Sequence, residues 1–308
     1  MLSSKDINNA NSTGKKLYSE QLTSEELNFF VRNGYFIKKA VISTEDCDQA
    51  IEIAWQELEK QGIPNKPEQW KTHQRLKSKM GVIKLRGEVE NNDFLNTLAE
   101  NPLVQSVVSS LIGSEIKCMG TRGLYPTFPV ARTVARPYEP HIEMHPVQVF
   151  AMYYFNEVKS NNGGLYVWPG SHLPIYHACD YKFHYQPNQN FQPVYNRYNL
   201  SKPAELIGGK GDVIFLHHRI LHSGSNNFAD AIRFAMLVDY VPENFEQLRK
   251  QKPNQYEWED WSSIVREAVN SNTKPEVQPT SSLSRAFALK LVHGLRKIRG
   301  IPQHSYGE

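Results

Sequence analysis

The segment Pro140-His141-Ile142-Glu143-Met144-His145 is the stretch on which the interpretation of this chain depends. Alternate side chains of an extended strand leave the same face, so His141 and Glu143 would project together. An imidazole and a carboxylate are two of the three ligands of a mononuclear non-heme iron site, in which two histidines and one carboxylate leave the opposite positions open. The segment therefore predicts an iron site that needs a second, distant histidine.

The second histidine is expected in the strand-like segment that begins at Gly211-Asp212, which contains His217, His218 and, at its end, His222. Arg233 lies eleven residues further on, where the next strand can return it to the metal. Its planar guanidinium can hold a carboxylate through two hydrogen bonds. An acid that chelates iron at one end and is held by an arginine at the other fits 2-oxoglutarate. His145 shares the predicted face of His141 and remains an alternative ligand.

The bulk composition is that of an ordinary globular protein, with 308 residues, 40% hydrophobic and 22% charged, and a net charge of +3. Such a mild charge does not indicate a nucleic-acid partner. Cys47, Cys118 and Cys179 are widely spaced and form no CxxC motif, which favours reduced thiols. No apolar run reaches the roughly 18 residues that span a bilayer, and the first residues lack a hydrophobic signal core. We expect a cytoplasmic protein without a membrane span.

Helix signals dominate the first 113 residues. Thr23 and Glu26 form the pattern of a capping box, and the helix that they begin is predicted to end at Asn33-Gly34. A second helix is predicted from Ser43 to about Gly62, and a third from Asn101 to Gly113.

The polar stretch 62–93 has no clear periodicity and is interpreted as a loop. It carries a basic cluster of Arg75, Lys77, Lys79, Lys84 and Arg86. These residues either face an acidic substrate or belong to a solvated surface.

After Gly113 the pattern changes to short β-rich runs separated by Gly, Pro and Asn. Such runs are typical of an antiparallel sandwich or barrel. The predicted strands are 116–121, 124–128, 141–145, 147–158, 165–168, 205–207, 213–216 and 232–241.

The order of these motifs resembles that of the phytanoyl-CoA dioxygenase family of Fe(II)- and 2-oxoglutarate-dependent oxygenases. The resemblance covers roughly residues 20–242. The matching motifs are Leu22-Thr23-Ser24-Glu25-Glu26 with Phe30 and Asn33-Gly34-Tyr35, His141-Ile142-Glu143, Asn162-Gly163-Gly164-Leu165, Pro169-Gly170-Ser171-His172, and Gly211-Asp212 through His222 to Arg233.

This resemblance implies a mainly β fold with flanking helices around a double-stranded β-helix, or jelly-roll, core. It implies Fe(II) bound by His141, Glu143 and His222, with 2-oxoglutarate and O2 as co-substrates. Arg233 is expected to bind the C5 carboxylate of 2-oxoglutarate. The implied organisation is a flexible tail at 1–20, an oxygenase domain at 21–242 and a helical extension at 243–308.

Three positions depart from the usual family pattern. Glu143 stands where the family usually has aspartate, and the presence of any carboxylate argues against a halogenase. A serine often lies two residues after the distal histidine, where this chain has Gly224 between Ser223 and Ser225. Either serine or neither replaces it, and Ser225 is the candidate to bind 2-oxoglutarate. Met152 stands where a tryptophan is common and is the third candidate for the cofactor site.

The long segment between Ser171 and Gly208 is rich in aromatic residues and is a candidate lid. Tyr181 and Phe183 within it, with Tyr154 and Trp168 before it, are candidate substrate contacts. Alternatively, the rings of the segment only fasten it to the core.

The C-terminal extension is predicted to contain a helix at 257–269 and a basic amphipathic helix at 283–298. The second of these either docks on the core or lies on a partner or a membrane surface. The oligomeric state does not follow from the sequence.

The predicted function is oxidation of an unactivated C–H bond of a small organic molecule by an Fe(II)- and 2-oxoglutarate-dependent dioxygenase. Hydroxylation in a biosynthetic tailoring step is the expected reaction, and the basic residues of the stretch 75–86 keep a CoA thioester open as substrate. The alternative is a non-catalytic jelly roll that binds a metal or a ligand. A third interpretation, a cupin-like isomerase without a co-substrate, is disfavoured by Arg233.

Overall fold

The computed structural model describes residues 22–113, 115–134, 140–143, 147–183 and 202–271. The predicted tail at 1–20, the alternative ligand His145 and the predicted helix at 283–298 lie outside these ranges.

The described chain begins with helices that pack on a β core. The helices are α1 (Ser24–Asn33), α2 (Thr44–Lys60), α3 (Pro67–Trp70), α4 (Gln74–Ser78), α5 (Asp93–Ala99), α6 (Pro102–Ile112), α7 (His172–Tyr176), α8 (Phe245–Leu248) and α9 (Ser263–Ser271), with 3-10 turns at Arg132–Val134 and Glu257–Asp260. The strands are β1 (Tyr35–Lys38), β2 (Ile116–Leu124), β3 (Val149–Tyr154), β4 (Leu165–Val167), β5 (Ala204–Leu206), β6 (Val213–His217), β7 (His222–Gly224) and β8 (Ala235–Pro242).

The predicted capping box at the start of α1 is confirmed. The Thr23 hydroxyl accepts from the Glu26 N–H at 3.1 Å, and the Glu26 carboxylate accepts from the Thr23 N–H at 3.0 Å. Gly34 ends the helix with φ of 79°, in the left-handed region. A Cβ at this position would lie 2.6 Å from Nδ1 of His172, so the close approach of that ring also requires glycine.

The strands form two antiparallel sheets, a five-stranded sheet in the order β1-β6-β3-β8-β2 and a three-stranded sheet in the order β5-β4-β7. Side chains of β3 alternate between two cores, as the two-residue period requires. Val149, Ala151 and Tyr153 pack toward the helices. The ring of Phe150 and its neighbours Met152 and Tyr154 instead pack toward the small sheet.

Several details differ from the sequence-based expectation. The stretch 62–93 is not a plain loop, because it contains α3 and α4 and then pairs with the chain after β2 through Val82↔Thr127 and Leu85↔Leu124. The two strands expected at 116–128 are one strand with two register shifts. In the described residues helices contribute more residues than strands, so "mainly β" applies to the core and not to the whole chain.

The C-terminal part of the described chain returns to α1. The predicted helix at 257–269 is divided at Trp261, whose backbone is extended. Trp258 and Trp261 pack on Phe30 of α1, with ring centroids 6.3 and 5.6 Å away. Within the described ranges, none of the helices combines the length and the apolar composition needed to cross a bilayer.

Candidate metal centre

The backbone brings the two predicted histidine ligands together. His141 and His222 form an antiparallel bridge in which each N–H donates to the carbonyl of the other, at 3.0 and 2.9 Å. Their ring centroids are 4.4 Å apart. His222 is buried as the first residue of β7, whereas His141 is exposed. The juxtaposition predicted from residues that are distant in sequence is therefore present.

Glu143 joins this pair through a short contact. Its carboxylate is buried, and Oε1 lies 3.1 Å from Nε2 of His222. Nδ1 of His222 lies 3.1 Å from the carbonyl oxygen of Ile220, which can only accept, so Nδ1 carries a proton. In a neutral ring Nε2 then presents a lone pair to a carboxylate oxygen, and two acceptors at this distance require a cation between them.

This arrangement fits a metal ion as well as a proton. Two ligand atoms at right angles, each about 2.1 Å from an ion, would lie about 3 Å apart. A metal-binding histidine usually donates its other ring N–H to a carbonyl or carboxylate, as Nδ1 of His222 does here. Among the described residues, no three His, Cys, Asp or Glu side chains are close enough together to hold a metal ion as they stand. The ring of His141, the third proposed ligand, is the exposed member of the group.

Arg122 is a site residue that sequence reasoning missed. Its Nη1 donates to Oε2 of Glu143 at 2.5 Å, and its Nε and Nη2 donate to the carboxylate of Asp239. Burial alone would raise the pKa of the Glu143 carboxyl, but the Arg122 guanidinium and His222 hold that pKa well below its usual range. Glu143 is therefore ionised at every physiological pH, as a metal ligand must be.

Arg233 is fixed in a buried position next to β8. Its Nε donates to the carbonyl of Gly163 at 3.0 Å, and its Nη2 donates to Oγ1 of Thr127 at 2.8 Å. The Asn-Gly-Gly turn that the sequence singled out therefore orients this guanidinium. Tyr154 lies near enough for the positive charge of Arg233 to act on its hydroxyl, although burial dominates and raises its pKa to about 12.

The remaining cofactor candidates have buried positions. Met152 shares the inward face of β3 with Phe150 and Tyr154, in the core between the two sheets. Ser225 directly follows β7 and is buried. Their assignment to the 2-oxoglutarate site remains a prediction.

The candidate substrate residues do not form one group. Trp168 packs with Ile142 and Leu221, next to the segments that carry the three proposed ligands. Phe183 packs instead with Val241 and Phe245. The backbone carbonyl of Tyr181 accepts a hydrogen bond from Arg219 at 2.6 Å. The described start of the candidate lid is thus fastened to the core.

Three further histidines lie elsewhere. His172 is buried, and its Nε2 is 3.1 Å from the carbonyl of Val31. His217 and His218 are also buried, because the C-terminal tryptophans cover this face of the sheet. Nε2 of His217 lies 3.3 Å from Oε1 of Glu257.

Comparison with solved structures shows the same fold in several enzymes. The non-heme alpha ketoglutarate dependent carbocyclase SnoK from nogalamycin biosynthesis superposes with a TM-score of 0.54 at 18% identity, covering 79% of this chain and 96% of that chain. HygX from Streptomyces hygroscopicus, in a structure with nickel and 2-oxoglutarate bound, gives a TM-score of 0.50 at 12% identity, covering 72% and 88%.

Comparison of sequences identifies the family. Peroxisomal phytanoyl-CoA dioxygenase of Rattus norvegicus is 22% identical over 230 residues, which are 71% of this chain and 68% of the rat protein. The family model for phytanoyl-CoA dioxygenase (PhyH) matches residues 30–235, the range that contains His141, Glu143, His222 and Arg233. The chain therefore belongs to the phytanoyl-CoA dioxygenase family.

Proposed function

We propose that this protein is an Fe(II)- and 2-oxoglutarate-dependent dioxygenase that hydroxylates an unactivated C–H bond of a small organic molecule, on a double-stranded β-helix core. Fe(II) as cofactor, with 2-oxoglutarate and O2 as co-substrates, follows from membership of the family. The observation that carries the proposal for this chain is the contact between Glu143 and His222, where two acceptor atoms face each other at 3.1 Å.

In this proposal His141, Glu143 and His222 hold the metal through two nitrogens and one carboxylate oxygen, which leaves positions open for co-substrates. When bound, the metal would supply the chemistry of C–H oxidation, in which one oxygen atom of O2 enters the hydroxylated product and the other enters succinate as 2-oxoglutarate loses CO2. Arg233 binds the far carboxylate of 2-oxoglutarate, because its planar fork is held by Gly163 and Thr127.

Apolar side chains pack on the His222 side of the proposed site. The ring of Phe150 lies 5.3 Å from the ring of His222, Met152 is buried, and the backbone N–H of the buried Trp168 donates to the carbonyl of Leu221. Charged groups interact more strongly in such an apolar setting than in water. We assign Met152 and Ser225 to the 2-oxoglutarate pocket, and Tyr154 and Trp168 to the substrate side.

The reaction outcome depends on how the substrate is seated. SnoK is a carbocyclase and SnoN of the same pathway is an epimerase, although their folds resemble this one. We propose hydroxylation here, of a small-molecule substrate, in the cytoplasm. Tyr181 and Phe183 belong to this proposal only as anchors of the lid.

The proposal is tested by anaerobic titration of the metal-free protein with Fe(II) and then 2-oxoglutarate. The weak visible charge-transfer band of the chelated co-substrate should develop, and His141→Ala or His222→Ala should abolish it. His177→Ala is the matched control, because His177 is an exposed histidine at the end of α7. If folded wild-type protein gives no band, the oxygenase function is wrong and a non-catalytic binding role replaces it.

A further inference from the structure

Arg122 lies at the centre of a buried charge group beside the proposed metal ligands. Its side chain is only 10% exposed, and the side chains of its two partners, Glu143 and Asp239, are each 9% exposed. The guanidinium carbon also lies 5.7 Å from the ring centroid of Phe150, on the inward face of β3. The Arg122 guanidinium therefore forms ion pairs with two carboxylates and a cation–π contact with one aromatic ring.

The contacts of Arg122 divide its guanidinium into two parts. Nε and Nη2 are both directed at Asp239 of β8, with Nε at 2.6 Å from Oδ2. Nη1 remains for Glu143 and reaches Oε2 at 2.5 Å. Because Asp239 fixes the plane of the fork, the direction of Nη1 is fixed as well. Lysine cannot reproduce this division, since its ammonium group has no planar fork.

The two oxygens of Glu143 consequently have different partners. Oε2 is held by Arg122, and Oε1 faces Nε2 of His222. A glutamate has one more rotatable bond than the aspartate common in this family, so its carboxylate needs an additional contact to be held in one orientation. Arg122 supplies that contact.

Resting on the proposed function, we infer that Arg122 is a positioning residue for the metal ligand Glu143. By binding Oε2 it makes Glu143 a ligand through Oε1 alone. It thereby keeps open the coordination position that a bidentate carboxylate would fill. Arg122 touches the ligand and not the metal, so its effect must pass through Glu143.

The test measures Mn(II) binding to the metal-free protein by electron paramagnetic resonance, without co-substrate or turnover. Arg122→Met is combined with Asp239→Leu, so that Asp239 does not remain buried without its arginine. Loss of a group that orients a metal ligand typically costs about 10- to 100-fold in metal affinity, and we expect a loss in this range. Arg122→Lys should weaken binding less, and Asp239→Asn alone, which keeps the Arg122–Glu143 contact but loosens the plane of the guanidinium, should weaken it by no more than Arg122→Lys.

A double-mutant cycle with Glu143→Gln distinguishes positioning from a general loss of charge. If Arg122 acts through Glu143, its removal should change the residual Mn(II) affinity of the Glu143→Gln protein by less than about twofold. Thermal melting of each metal-free variant reports folding, and Arg122→Lys serves as the decisive variant if the double replacement does not fold.

The outcomes separate this inference from the proposed function. Wild-type affinity in both Arg122→Lys and the double replacement, with metal bound by the wild type, would overturn the inference and leave the oxygenase function standing. Failure of the wild type itself to bind Mn(II) or Fe(II) would overturn the proposed function, and the inference with it.

Discussion

Glu143 and Glu257 are both buried, and each directs Oε1 at Nε2 of a histidine, at 3.1 Å from His222 and 3.3 Å from His217. The two pairs differ in where the ring proton lies. Nδ1 of His222 faces a carbonyl and must be protonated, whereas Nδ1 of His217 accepts the backbone N–H of Arg219 at 3.0 Å. Nε2 of a neutral His217 therefore carries the proton and faces Oε1 of Glu257 as a donor group, so that no ion is needed between them.

The charges around the two glutamates also differ, so that the pKa of one carboxyl is lowered and the pKa of the other is raised. Arg122 binds Glu143 directly and, against the effect of burial, holds the pKa of that carboxyl well below its usual range. Burial raises the pKa of Glu257 well above its usual value, and the more distant charge of Arg219 offsets this only in part. Nη2 of Arg219 donates to the carbonyls of Tyr181 and Lys182. The same pair of residue types thus makes a cation-requiring site in one place and a neutral structural contact in the other.

The largest expected effect comes from replacing Glu143 by glutamine, compared with the same replacement at Glu257. Glu143→Gln should reduce Fe(II) affinity and the formation of succinate from 2-oxoglutarate by at least about 100-fold, because a ligand charge is lost and second-sphere changes alone reach that range. Glu257→Gln is the matched control and should leave both within about threefold, since Glu257 is not a proposed metal ligand and burial raises the pKa of its carboxyl. Equal losses in the two variants would remove the distinction between the two pairs.

The next effect concerns the co-substrate and not the metal. Arg233→Ala removes a charge-assisted, buried contact, and 2-oxoglutarate affinity should fall by roughly 10- to 100-fold. Fe(II) affinity should stay within about threefold. Arg132→Ala is the control, because Arg132 is exposed and lies over the ring of Phe228. Calorimetric titration of the Fe(II) protein measures this, and unchanged 2-oxoglutarate binding would refute the role of Arg233.

The pH dependence of the unfolding free energy tests the buried group that contains His217 and Glu257. Burial lowers the pKa of His172 to about 4 and those of His217 and His218 well below their usual value. These rings are neutral in the folded protein but bind protons when it unfolds below pH about 6.5, so their stabilising contribution is lost as the pH falls. The raised pKa of Glu257 acts oppositely, because its contribution is lost as the pH rises above about 4.5.

Near pH 5.5 three rings gain a proton on unfolding and one carboxyl loses one. The net uptake of two protons corresponds to a loss of about 3 kcal/mol in unfolding free energy per pH unit of acidification. Urea denaturation of the metal-free protein between pH 7 and 5 measures this slope. A stability that stays level over that range would show that the cluster is charged in the folded state.

The smallest expected effect is on folding and again separates two substitutions. His217→Leu leaves the buried carboxyl of Glu257 without its facing ring nitrogen and should cost about 1–3 kcal/mol. Glu257→Gln keeps the shape and the hydrogen-bonding capacity of the neutral acid and should cost less than about 1 kcal/mol. Urea denaturation at pH 7 compares them, and a larger cost for the amide would mean that Glu257 is ionised.

Local signals in the sequence were sufficient for the ends of helices and for the motif of the proposed ligands. The contacts of Thr23 with Glu26 and the end of α1 at Gly34 depend only on neighbouring residues, and both were predicted. His141 and Glu143 were found because they are two residues apart and belong to a motif order that the family shares.

Contacts set by strand register were not predictable in the same way. Arg122 meets Asp239 only because β2 pairs with β8 through two register shifts, and no local pattern specifies where those shifts fall. The meeting of His217 and Glu257 depends on a C-terminal segment that folds back over α1. The sequence also did not indicate that the polar stretch after α2 would contain two short helices.

The two proposed ligands His141 and His222 are joined by one pair of reciprocal backbone hydrogen bonds. Separating these strands by a few ångströms would expose both amides to solvent exchange and would pull the two rings apart in the same event. Hydrogen–deuterium exchange at these two amides and the dissociation rate of the metal would then report one local opening. If both residues bind the metal as proposed, opening of these two short stretches of backbone would provide one route for its release.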